Sequence, residues 1–439
     1  MQLGFEVIDD HLALWERKDW RYAFLMGGRG NGRSGTGSRY AASRLFGKEY
    51  TRGALMRAVH SDIRTSSWAE VIGRLDEQGV AEAEGLRVVD NEMFLQFGQN
   101  SLRAHGFKVS SGSLTARLKS LADYNFAWIE EAEEIGEAEF TKLDDTLRTT
   151  KGRIRIVFTL NTPAKSHWLI KRFFDLEPTT TSGFYRPRLK PEYAKSTIYI
   201  PGTYRDNRDA IDDQTAANYE AYKERNPAHY WQFIEGLCPE VVLGRIYSNW
   251  KMVESVPHEA RLLGYGLDFG FDPDPAAVLA VYWYNGGFLL DEKLYQTELL
   301  NEHLAASLKA LPKAPIVADS AEPKSIADLQ AQGLNVIPCE KGADSVRNGI
   351  KEVQGQRISY TRASVNLHRE YENYAWKITK DGDNAGIEDP KCDNHLMSAA
   401  RYAVTMFAGQ GGMYDPHKRE REAVMVSVKR RELKKNQAR

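Results

Sequence analysis

Residues 27–38 read GGRGNGRSGTGS and nearly match the phosphate-binding pattern G-x-x-x-x-G-K-[ST]. Gly27, Gly32 and Ser34 are in register with the pattern, but Arg33 occupies the lysine position. The apolar run YAFLM precedes this stretch, and the amphipathic run SRYAASRLF overlaps its end. A strand, a glycine-rich turn and a helix in this order let consecutive backbone N–H groups surround a phosphate. The stretch therefore predicts an α/β domain that binds ATP.

The side chains of this loop have distinct predicted roles. The Ser34 hydroxyl is suited to ligate magnesium, and the Arg33 guanidinium can hold phosphate oxygens. Because a planar guanidinium is larger than a lysine ammonium, we expect ATP binding with an altered affinity or rate. Arg29 is a candidate for a catalytic arginine supplied in cis to the charge of the transition state. The ATP-binding residues predicted in the loop are Gly27, Gly28, Arg29, Gly30, Asn31, Gly32, Arg33 and Ser34.

Paired acids follow a second apolar run. In YNFAWIEEAEE, residues 124–134, Glu130 and Glu131 come at the carboxyl end of a predicted strand. Open α/β sheets bind their ligands at this end of their strands. Glu130 is predicted to hold the magnesium of the ATP site through water. Glu131 is predicted to be the catalytic residue that orients and deprotonates the attacking water.

A third apolar run also ends in polar residues. The stretch IVFTLNTPAKSHWLIKRFF places Thr159 and Asn161 near the end of another predicted strand. Polar side chains at this position can sense the γ-phosphate and transmit its loss. We therefore predict that Thr159 and Asn161 couple hydrolysis to a later movement.

The second half of the chain carries carboxylates at strand ends. Asp268 closes LLGYGLD, Asp319 closes PIVAD, and Asp393 lies in DNHLMSAARYAV at a predicted helix start. Three carboxylates brought together this way can hold two Mg²⁺ or Mn²⁺ ions about 3.5–4 Å apart, a geometry that cuts phosphodiesters. Asp268, Asp319 and Asp393 are therefore predicted as metal ligands and catalytic residues. Asp291 is a possible fourth acid, and His395 is a possible group that orients a ligand or transfers a proton.

Composition limits the class of protein. With 439 residues and 42% hydrophobic content, the chain can bury a sizeable core and is expected to form two domains. The 59 basic and 60 acidic residues leave a net charge of -1, so any site for a polyanion must be local. The longest apolar run, residues 276–284, is too short to span a bilayer, which predicts a cytosolic protein with no membrane partner. The 3 cysteines lack C-x-x-C spacing, which argues against a zinc site or a disulfide scaffold.

The order of patterns along the chain predicts four segments. Alternating strand and helix patterns indicate an N-terminal ATPase domain over 1–202, and a polar helical pattern indicates a lid or connector over 203–260. A second α/β domain is expected over 261–412, beginning with GYGLDFGF and a hairpin that turns at residues 285–287. The segment 413–439 is expected to be a basic C-terminal tail.

Taken together, these motifs make the sequence resemble the phage terminase large subunits, in particular their PBSX-like branch. The resemblance covers most of the chain. It is carried by GGRGNGRS, KSLADYNFAWIEEAEEI, TLNTPAKSHWLIKRFF, NPAHYWQFIEGL, GRIYSNW, GYGLDFGFDPDPAA, ADSAEPKSIADL and DNHLMSAARYA.

The resemblance implies a RecA-like P-loop ATPase domain followed by a ribonuclease-H-like nuclease domain. It implies ATP-driven translocation of double-stranded DNA into a viral procapsid and metal-dependent cutting of concatemeric DNA. The segment TLNTP resembles the one that couples hydrolysis to DNA movement, and the acids matching Asp268, Asp319 and Asp393 bind the metals. The implied cofactors are ATP with one Mg²⁺ or Mn²⁺ ion, and two such ions at the nuclease site.

The resemblance also implies partners and a location. A small terminase subunit would choose the DNA sequence, and the portal protein of the capsid would organise a homo-oligomer, a pentameric ring. Such a motor grips the phosphate backbone and reads little sequence, so its DNA affinity should fall with salt. It would act in the host cytoplasm.

Two positions depart from the family pattern, and alternatives stay open. Arg33 replaces the usual lysine, which bears on the ATPase rate. Family members commonly carry an aspartate where this chain has Ser398; if that acid is the third metal ligand, the nuclease is weakened, but Asp393 retains a carboxylate and is favoured here. Alternatives are a translocase or helicase without nuclease activity, an inactive prophage remnant that binds portal or DNA, and a transposase-like nuclease.

Overall fold

The computed structural model describes residues 3–108, 121–272, 274–340, 342, 344–379 and 383–408. The chain divides into two compact units, with the boundary between Leu243 and Gly244. The segment expected to connect them, 203–260, is divided by this boundary: its residues up to 243 belong to the first unit and the rest to the second. The expected basic tail, 413–439, lies outside the described residues.

The first unit is built on a sheet of eight strands in the order β10-β1-β7-β6-β2-β5-β4-β3. Strands from β10 to β5 in this order are parallel, and β4 and β3 add an antiparallel edge. A small antiparallel sheet has the order β11-β9-β8. The strands of this unit are β1 (Tyr22–Gly27), β2 (Arg52–Val59), β3 (Leu86–Val89), β4 (Phe94–Phe97), β5 (Asn100–Lys108), β6 (Phe126–Glu130), β7 (Arg155–Asn161), β8 (Phe174–Pro178), β9 (Phe184–Leu189), β10 (Thr197–Gly202) and β11 (Cys238–Pro239).

Both faces of the large sheet are covered. Strand β1 shows why: Phe24 and Met26 belong to the core cluster on one face, and Ala23 and Leu25 belong to the cluster on the other. All six residues of β1 are buried, as expected for a central parallel strand between two helical layers. The helices are α1 (Ala13–Glu16), α2 (Arg33–Phe46), α3 (His60–Ile63), α4 (Ala69–Glu77), α5 (Glu137–Thr146), α6 (Trp168–Phe173), α7 (Asp213–Arg225) and α8 (Pro227–His229).

Short 3₁₀ and π segments link these elements, and two of them border the glycine-rich loop. Tyr204 and Ile211 lie against Gly30 in that loop, and the carbonyl of Ile234 approaches Gly28. Residues in the first part of the predicted lid or connector therefore pack on the loop. The segments are Asp9–Leu12, Arg64–Trp68, Asp90–Glu92, Ala132–Glu134, Pro191–Tyr193, Tyr204–Ala210 and Tyr230–Ile234.

The second unit is built on a mixed sheet of seven strands in the order β12-β18-β15-β14-β13-β16-β17. Its strands are β12 (Lys251–Val253), β13 (Arg261–Asp268), β14 (Ala276–Tyr284), β15 (Gly287–Gln296), β16 (Ile316–Ala318), β17 (Val336–Pro338) and β18 (Ile358–Thr361), and β19 (Trp376–Ile378) pairs separately with β20 (Asn384–Glu388). The predicted hairpin is β14–β15, with Tyr284 paired to Gly287 across a turn in which Asn285 and Gly286 both have positive φ.

Helix α13 (His395–Ala408) lies close against β13 because two strand residues have no side chain. A Cβ on Gly266 would lie 2.1 Å from the Ala399 carbonyl, and a Cβ on Gly264 would lie 2.7 Å from the Phe407 ring. This close packing brings the start of α13 to the carboxyl end of β13, where Asp268 lies. The other helices are α9 (Asn301–Lys309), α10 (Pro323–Ala331), α11 (Ser345–Gln354) and α12 (Val365–Asn373). Over the described residues, every helix falls short of the length and apolar character needed to cross a bilayer.

Candidate functional site

The glycine-rich loop joins β1 to α2 as the sequence predicts. Gly30 and Gly32 both have φ of +75°, a left-handed conformation that glycine adopts without strain. A Cβ on Gly28 would lie 2.0 Å from the Ile234 carbonyl oxygen. The backbone N–H of Gly28 donates to the Gly202 carbonyl (2.9 Å), and that of Arg29 donates to the Phe233 carbonyl (2.6 Å). The loop is thus held between the end of β10 and the Tyr230–Ile234 segment.

Arg33 begins α2, and its guanidinium turns toward its own loop and the neighbouring strand. Nη1 donates to the carbonyls of Gly28 (2.8 Å) and Gly27 (3.2 Å) and lies 3.4 Å from Oδ1 of Asn31. Nη2 donates to Oδ1 of Asn161 (2.7 Å). Desolvation lowers the pKa of Arg33, and the negative charges of nearby glutamates oppose that shift. The side chain stays a cation, as an arginine in a protein does.

The strand ends bring the predicted ATP-site acids to this loop. Residue pairing places Gly27 beside Asn161, and Thr159 beside Glu130, on the adjacent strands β1, β7 and β6. Glu130 is 6% exposed, and its Oε2 has no hydrogen-bond partner among the described residues. Burial raises the pKa of Glu130, while contacts with Ser66, Arg57 and Ser34 oppose the rise. Ser34 and Glu130 are therefore neighbours.

Glu131 has different surroundings from Glu130. It adopts φ of +49°, which turns its side chain away from the line of β6. Its carboxylate pairs with the guanidinium of Arg57, which also lies 3.6 Å from Glu134. Burial and the neighbouring Glu134 raise the pKa of Glu131 to about 7, with Arg57 opposing the rise. A carboxylate that titrates near neutrality is suited to accept a proton from water.

The predicted coupling residues differ in their contacts. Thr159 is buried, and its hydroxyl accepts a hydrogen bond from the Trp128 indole (3.0 Å). Asn161 contacts Arg33 on one side, and on the other its Nδ2 donates to Oε1 of Glu133 (2.8 Å). Asn161 therefore lies between the loop and the acidic segment, whereas Thr159 packs in the strand layer.

Arg29, the predicted arginine in cis, lies beside an aromatic ring. Its guanidinium carbon is 5.3 Å from the centre of the Phe233 ring, a cation–π contact. This contact ties the side chain to the Tyr230–Ile234 segment that borders the loop.

In the second unit, Asp268 and Asp319 lie at neighbouring strand ends, on β13 and after β16. Oδ2 of Asp268 lies 3.2 Å from Nδ1 of His395, and Oδ2 of Asp319 accepts a hydrogen bond from Tyr402 (3.2 Å). Burial raises the pKa of Asp268, and the charge of Asp319 adds to the rise while His395 opposes it. Burial opposes a charge on His395, but its hydrogen bond to Asp268 and the charge of Glu370 raise its pKa. The two carboxylates are therefore close enough for the charge of Asp319 to raise the pKa of Asp268.

Asp393 has other neighbours. Its side chain is 55% exposed and lies 4.0 Å from the Arg369 guanidinium. Asp291, the possible fourth acid, lies within β15 rather than after it, where it accepts from Thr361 (2.5 Å) and pairs with Lys293 (2.5 Å). In the part of the chain that the structure describes, no three His, Cys, Asp or Glu side chains form a group that could hold a metal ion. The structure brings Asp268 and Asp319 close to each other and places Asp393 beside Arg369.

Ser398 lies on the face of α13 that carries the contacts to Asp268 and Asp319. His395 and Tyr402, which reach Asp268 and Asp319, are seven residues apart on α13, and Ser398 lies between them on the same face. The Ser398 hydroxyl accepts a hydrogen bond from Nη2 of Arg401 (3.3 Å). The charge of Arg401 also opposes the burial-driven rise in the pKa of Asp268. A cation thus lies beside the face of α13 from which His395 and Tyr402 reach Asp268 and Asp319.

The partners of these residues could not be predicted from the sequence. Arg57 lies near the end of β2 and is 74 residues from Glu131 in the chain, so no local sequence pattern pointed to their contact. Glu133 lies in the acidic stretch of residues 124–134, but no role was predicted for it. No sequence pattern pointed to Tyr402 or Glu370. The contact of Tyr402 with Asp319 and that of Glu370 with the start of α13 both depend on how the helices pack.

Two family models match the chain. The model described as phage terminase large subunit matches residues 19–237, and the one described as terminase RNAseH like domain matches residues 268–406. These matches confirm the resemblance and the fold class that the motifs indicate.

Individual proteins are also similar to this chain. The chain is 25% identical over 456 residues to the PBSX phage terminase large subunit of Bacillus subtilis strain 168, covering 94% of this chain and 96% of the relative. It is 32% identical over 183 residues to the terminase large subunit of Bacillus phage SPP1, covering 38% of this chain and 42% of the relative. The solved large terminase of the thermophilic bacteriophage D6E aligns with a TM-score of 0.43 and 17% identity, covering 92% of this chain and 100% of that one.

Proposed function

The chain belongs to the family of phage terminase large subunits, and we propose that it packages viral DNA with an ATPase in its first unit and a metal-dependent nuclease in its second. ATP hydrolysis drives double-stranded DNA into a procapsid, and the nuclease cuts the concatemer. One observation carries the ATPase assignment: the strand order β1-β7-β6 sets the loop, Asn161 and Glu130 side by side at the carboxyl ends of adjacent strands.

The residues of the first unit fit a nucleotide with magnesium. The Ser34 hydroxyl lies near the carboxylate of Glu130, whose buried Oε2 has no hydrogen-bond partner among the described residues. Both groups supply oxygen atoms, the kind of ligand that Mg²⁺ prefers. When bound, the ion neutralises charge on the phosphates. The loop backbone and Arg33 bind the phosphates, Glu131 takes the proton of the attacking water, and Arg29 stabilises the charge that develops in the transition state.

The residues of the second unit fit a divalent cation only in part. Asp268 and Asp319 are adjacent carboxylates whose mutual repulsion a cation would relieve, which supports both as ligands. Bound Mg²⁺ or Mn²⁺ supplies Lewis acidity for phosphodiester hydrolysis. Asp393 remains a candidate third ligand, but its carboxylate would have to move away from the Arg369 guanidinium to reach a metal ion. A site for two ions needs Asp393 or another carboxylate as that third ligand. His395 orients Asp268 through its ring nitrogen.

The partners follow from the family. We propose that a small terminase subunit selects the DNA, that the portal protein organises the chain into a pentameric ring, and that packaging takes place in the host cytoplasm. The chain itself would bind the DNA backbone with little sequence preference, so its affinity should fall steeply as salt rises.

Phosphate release tests the ATPase. The full-length protein is incubated with ATP and Mg²⁺, and wild type is compared with Glu131→Gln, which keeps the shape but not the basicity of the side chain. A loss of about 100-fold or more in the rate is expected if Glu131 is the general base. Equal rates in the two proteins would contradict the assigned role.

Cutting of supercoiled plasmid in Mn²⁺ or Mg²⁺ tests the nuclease. Asp268→Asn and Asp319→Asn should abolish cutting, whereas the effect of Asp393→Asn decides whether that carboxylate takes part. Ser398→Asp adds a carboxylate on the face of α13 between His395 and Tyr402, so it should tighten Mn²⁺ binding and speed cutting. No cutting by wild type in either metal would remove the nuclease assignment.

One observation favours a second candidate function, a packaging ATPase with weak or no cutting. Ser398 and the nearby cation Arg401 occupy the face where a third acid would lie. Under this alternative, Ser398→Asp would create cutting that wild type lacks, and phosphate release would be unaffected.

A further inference from the structure

The guanidinium of Arg33 divides its two amino groups between two strands. Nη1 donates to the carbonyls of Gly28 (2.8 Å) and Gly27 (3.2 Å), at the end of β1. Nη2 donates to Oδ1 of Asn161 (2.7 Å), the last residue of β7. The side chain that the loop pattern assigns to phosphate therefore also joins the loop to the neighbouring strand.

The side-chain amide of Asn161 extends this contact. Its Nδ2 (2.8 Å) and its backbone N–H (3.2 Å) both donate to Oε1 of Glu133. The Glu133 carbonyl lies 3.1 Å from Nε2 of His167, the residue before α6. Arg33 and Glu133 hold opposite ends of one amide group, so the orientation of Asn161 depends on both. Hydrogen bonds thus run without interruption from the loop to the start of α6.

The chemistry of arginine explains why this position can make both kinds of contact. A planar guanidinium presents several donors in a fixed fork, whereas a lysine ammonium is a single nitrogen. The oxygen of Asn161 is neutral, and hydrogen bonds from a cation to a charged phosphate oxygen are stronger than those to a neutral acceptor. Desolvation of Arg33 increases its need for charged partners. Phosphate oxygens in the loop are therefore better acceptors for Arg33 than Asn161 is.

We propose that Arg33 is a positioning residue for Asn161, and that phosphate binding and the Arg33–Asn161 hydrogen bond compete for one guanidinium. Arg33 exchanges the Asn161 oxygen for a phosphate oxygen when nucleotide binds. The Asn161 amide is then held by Glu133 alone, so occupancy of the loop changes the orientation of a residue that contacts the segment before α6. The inference rests on the proposed ATPase function and assigns to Arg33 a second role, in which the fork of its guanidinium contacts the loop carbonyls and Asn161 through separate nitrogens.

A double-mutant cycle on the full-length chain tests the competition. The four proteins are wild type, Asn161→Ala, Arg33→Lys and the double variant, and the probe is ATPγS with Mg²⁺, measured by titration calorimetry. With arginine at position 33, Asn161→Ala frees the guanidinium and should tighten binding by about tenfold. In the Arg33→Lys background the same substitution should change binding by less than about twofold, because the competing bond is absent.

A matched control separates this effect from a general loosening of the loop. Asn207 also donates its side-chain amide to the loop, to the Gly30 carbonyl (3.0 Å), rather than to the Arg33 side chain. Asn207→Ala should change the ATPγS affinity by the same factor whether residue 33 is arginine or lysine. If Asn161→Ala fails to fold, judged by its thermal unfolding midpoint, Asn161→Ser replaces it in the same cycle.

The outcomes distinguish this inference from the proposed ATPase. Weaker or unchanged binding by Asn161→Ala when residue 33 is arginine, or equal effects in both backgrounds, overturns the competition and leaves the ATPase standing. An absence of ATPγS binding by the wild-type protein overturns both. Tighter binding that depends on Arg33 supports both.

Discussion

Glu130 and Glu131 are consecutive residues that the fold places in different environments. Glu130 ends β6 and is buried beside Ser34, whereas Glu131 leaves the strand with a positive φ and pairs with Arg57. The backbone turn between them separates a candidate metal-site oxygen from a candidate base. Two adjacent acids can therefore take two different roles, because their surroundings differ although their chemistry does not.

The pH dependence of phosphate release should report Glu131. Its pKa is raised to about 7, so its basic form, and with it the rate, should increase as pH rises through about 7. Arg57 opposes the rise in this pKa, so Arg57→Ala should move the midpoint of the pH–rate profile to higher pH and lower the rate at pH 7 by roughly two- to fivefold. Arg52→Ala, at the other end of β2, serves as the control and should leave the midpoint in place. A shift toward lower pH in Arg57→Ala would contradict this assignment.

Gly28 should tolerate no side chain. A Cβ there would lie 2.0 Å from the Ile234 carbonyl oxygen, so Gly28→Ala must displace backbone and should lower the free energy of unfolding by about 1–3 kcal/mol. Gly73 in α4 is the matched control, because a Cβ there meets no atom within 4 Å among the described residues. Gly73→Ala should raise the free energy of unfolding by about 0.5–1 kcal/mol, since alanine favours helix. Urea unfolding of both variants checks the pair.

Among the elements of the second unit, the start of α13 is held by a side chain from another helix. Oε2 of Glu370, in α12, accepts hydrogen bonds from the backbone N–H groups of Leu396 (2.7 Å) and Met397 (3.1 Å). N–H groups in the first turn of a helix have no partner within that helix, so an acceptor supplied from outside stabilises the turn. The same turn carries His395, so Glu370 helps to place the residue that contacts Asp268.

The buried charge of Glu370 should make stability depend on pH. Burial raises its pKa to about 7, above its usual value, so between about pH 4.5 and 7 the unfolded chain loses a proton that the folded chain keeps. Stability should therefore fall as pH rises through this window, by on the order of 3 kcal/mol. Glu370→Gln keeps an acceptor oxygen but cannot ionise, so this fall should disappear. Glu372→Gln, on the same helix, should leave it unchanged, and urea unfolding at several pH values measures all three proteins.

Removing the acceptor altogether should cost more than neutralising it. Glu370→Ala leaves two buried N–H groups of α13 without their acceptor, which should lower the free energy of unfolding by about 1–3 kcal/mol at pH 5. Urea unfolding at that pH compares Glu370→Ala with Glu370→Gln. If the two variants are equally stable, the cap contributes nothing.

Across the full chain, each candidate site is assembled within one compact unit. The loop, Glu131 and Asn161 belong to the first unit, and Asp268 and Asp319 belong to the second. Neither set of residues needs a side chain from the other unit to complete its described contacts. The two chemical activities should therefore be separable by substitution.

Crossed variants test this separation. Asp268→Asn should abolish plasmid cutting and leave phosphate release within about twofold of wild type. Glu131→Gln should abolish phosphate release and leave plasmid cutting within about twofold of wild type. The reason is that each substitution removes a group from a site built by one unit only. A variant that loses both activities, yet keeps its unfolding midpoint, would contradict this independence.

Much of this architecture could be read from short stretches of sequence. The loop between β1 and α2, the acids after β6, the hairpin β14–β15 and the aspartate after β16 all depend on residues that are neighbours in the chain. Their patterns are local because strand ends, glycine turns and helix starts have local conformational requirements. The family models then confirmed the fold class that these patterns indicated.

Contacts between distant residues could not be read in this way. Arg57 and Glu131 are 74 residues apart, and Arg33 and Asn161 are 128 apart. No periodicity links such positions, so their pairing depends on the order of strands in the sheet. Asp393 shows the opposite case: its motif predicted a metal ligand, but its carboxylate lies by Arg369.

The order of residues along the chain was enough to predict a glycine-rich loop of the phosphate-binding pattern, two acids at the end of a following strand, and a second sheet with carboxylates at its strand ends. The packing of the folded chain determines which of these groups lie close together. Gly264 and Gly266 let α13 approach β13 closely, and the helix period then turns His395, Ser398 and Tyr402 toward Asp268 and Asp319. Asp393 precedes the helix and lies outside that face, because a side chain's direction is set by backbone geometry and packing rather than by its place in a motif.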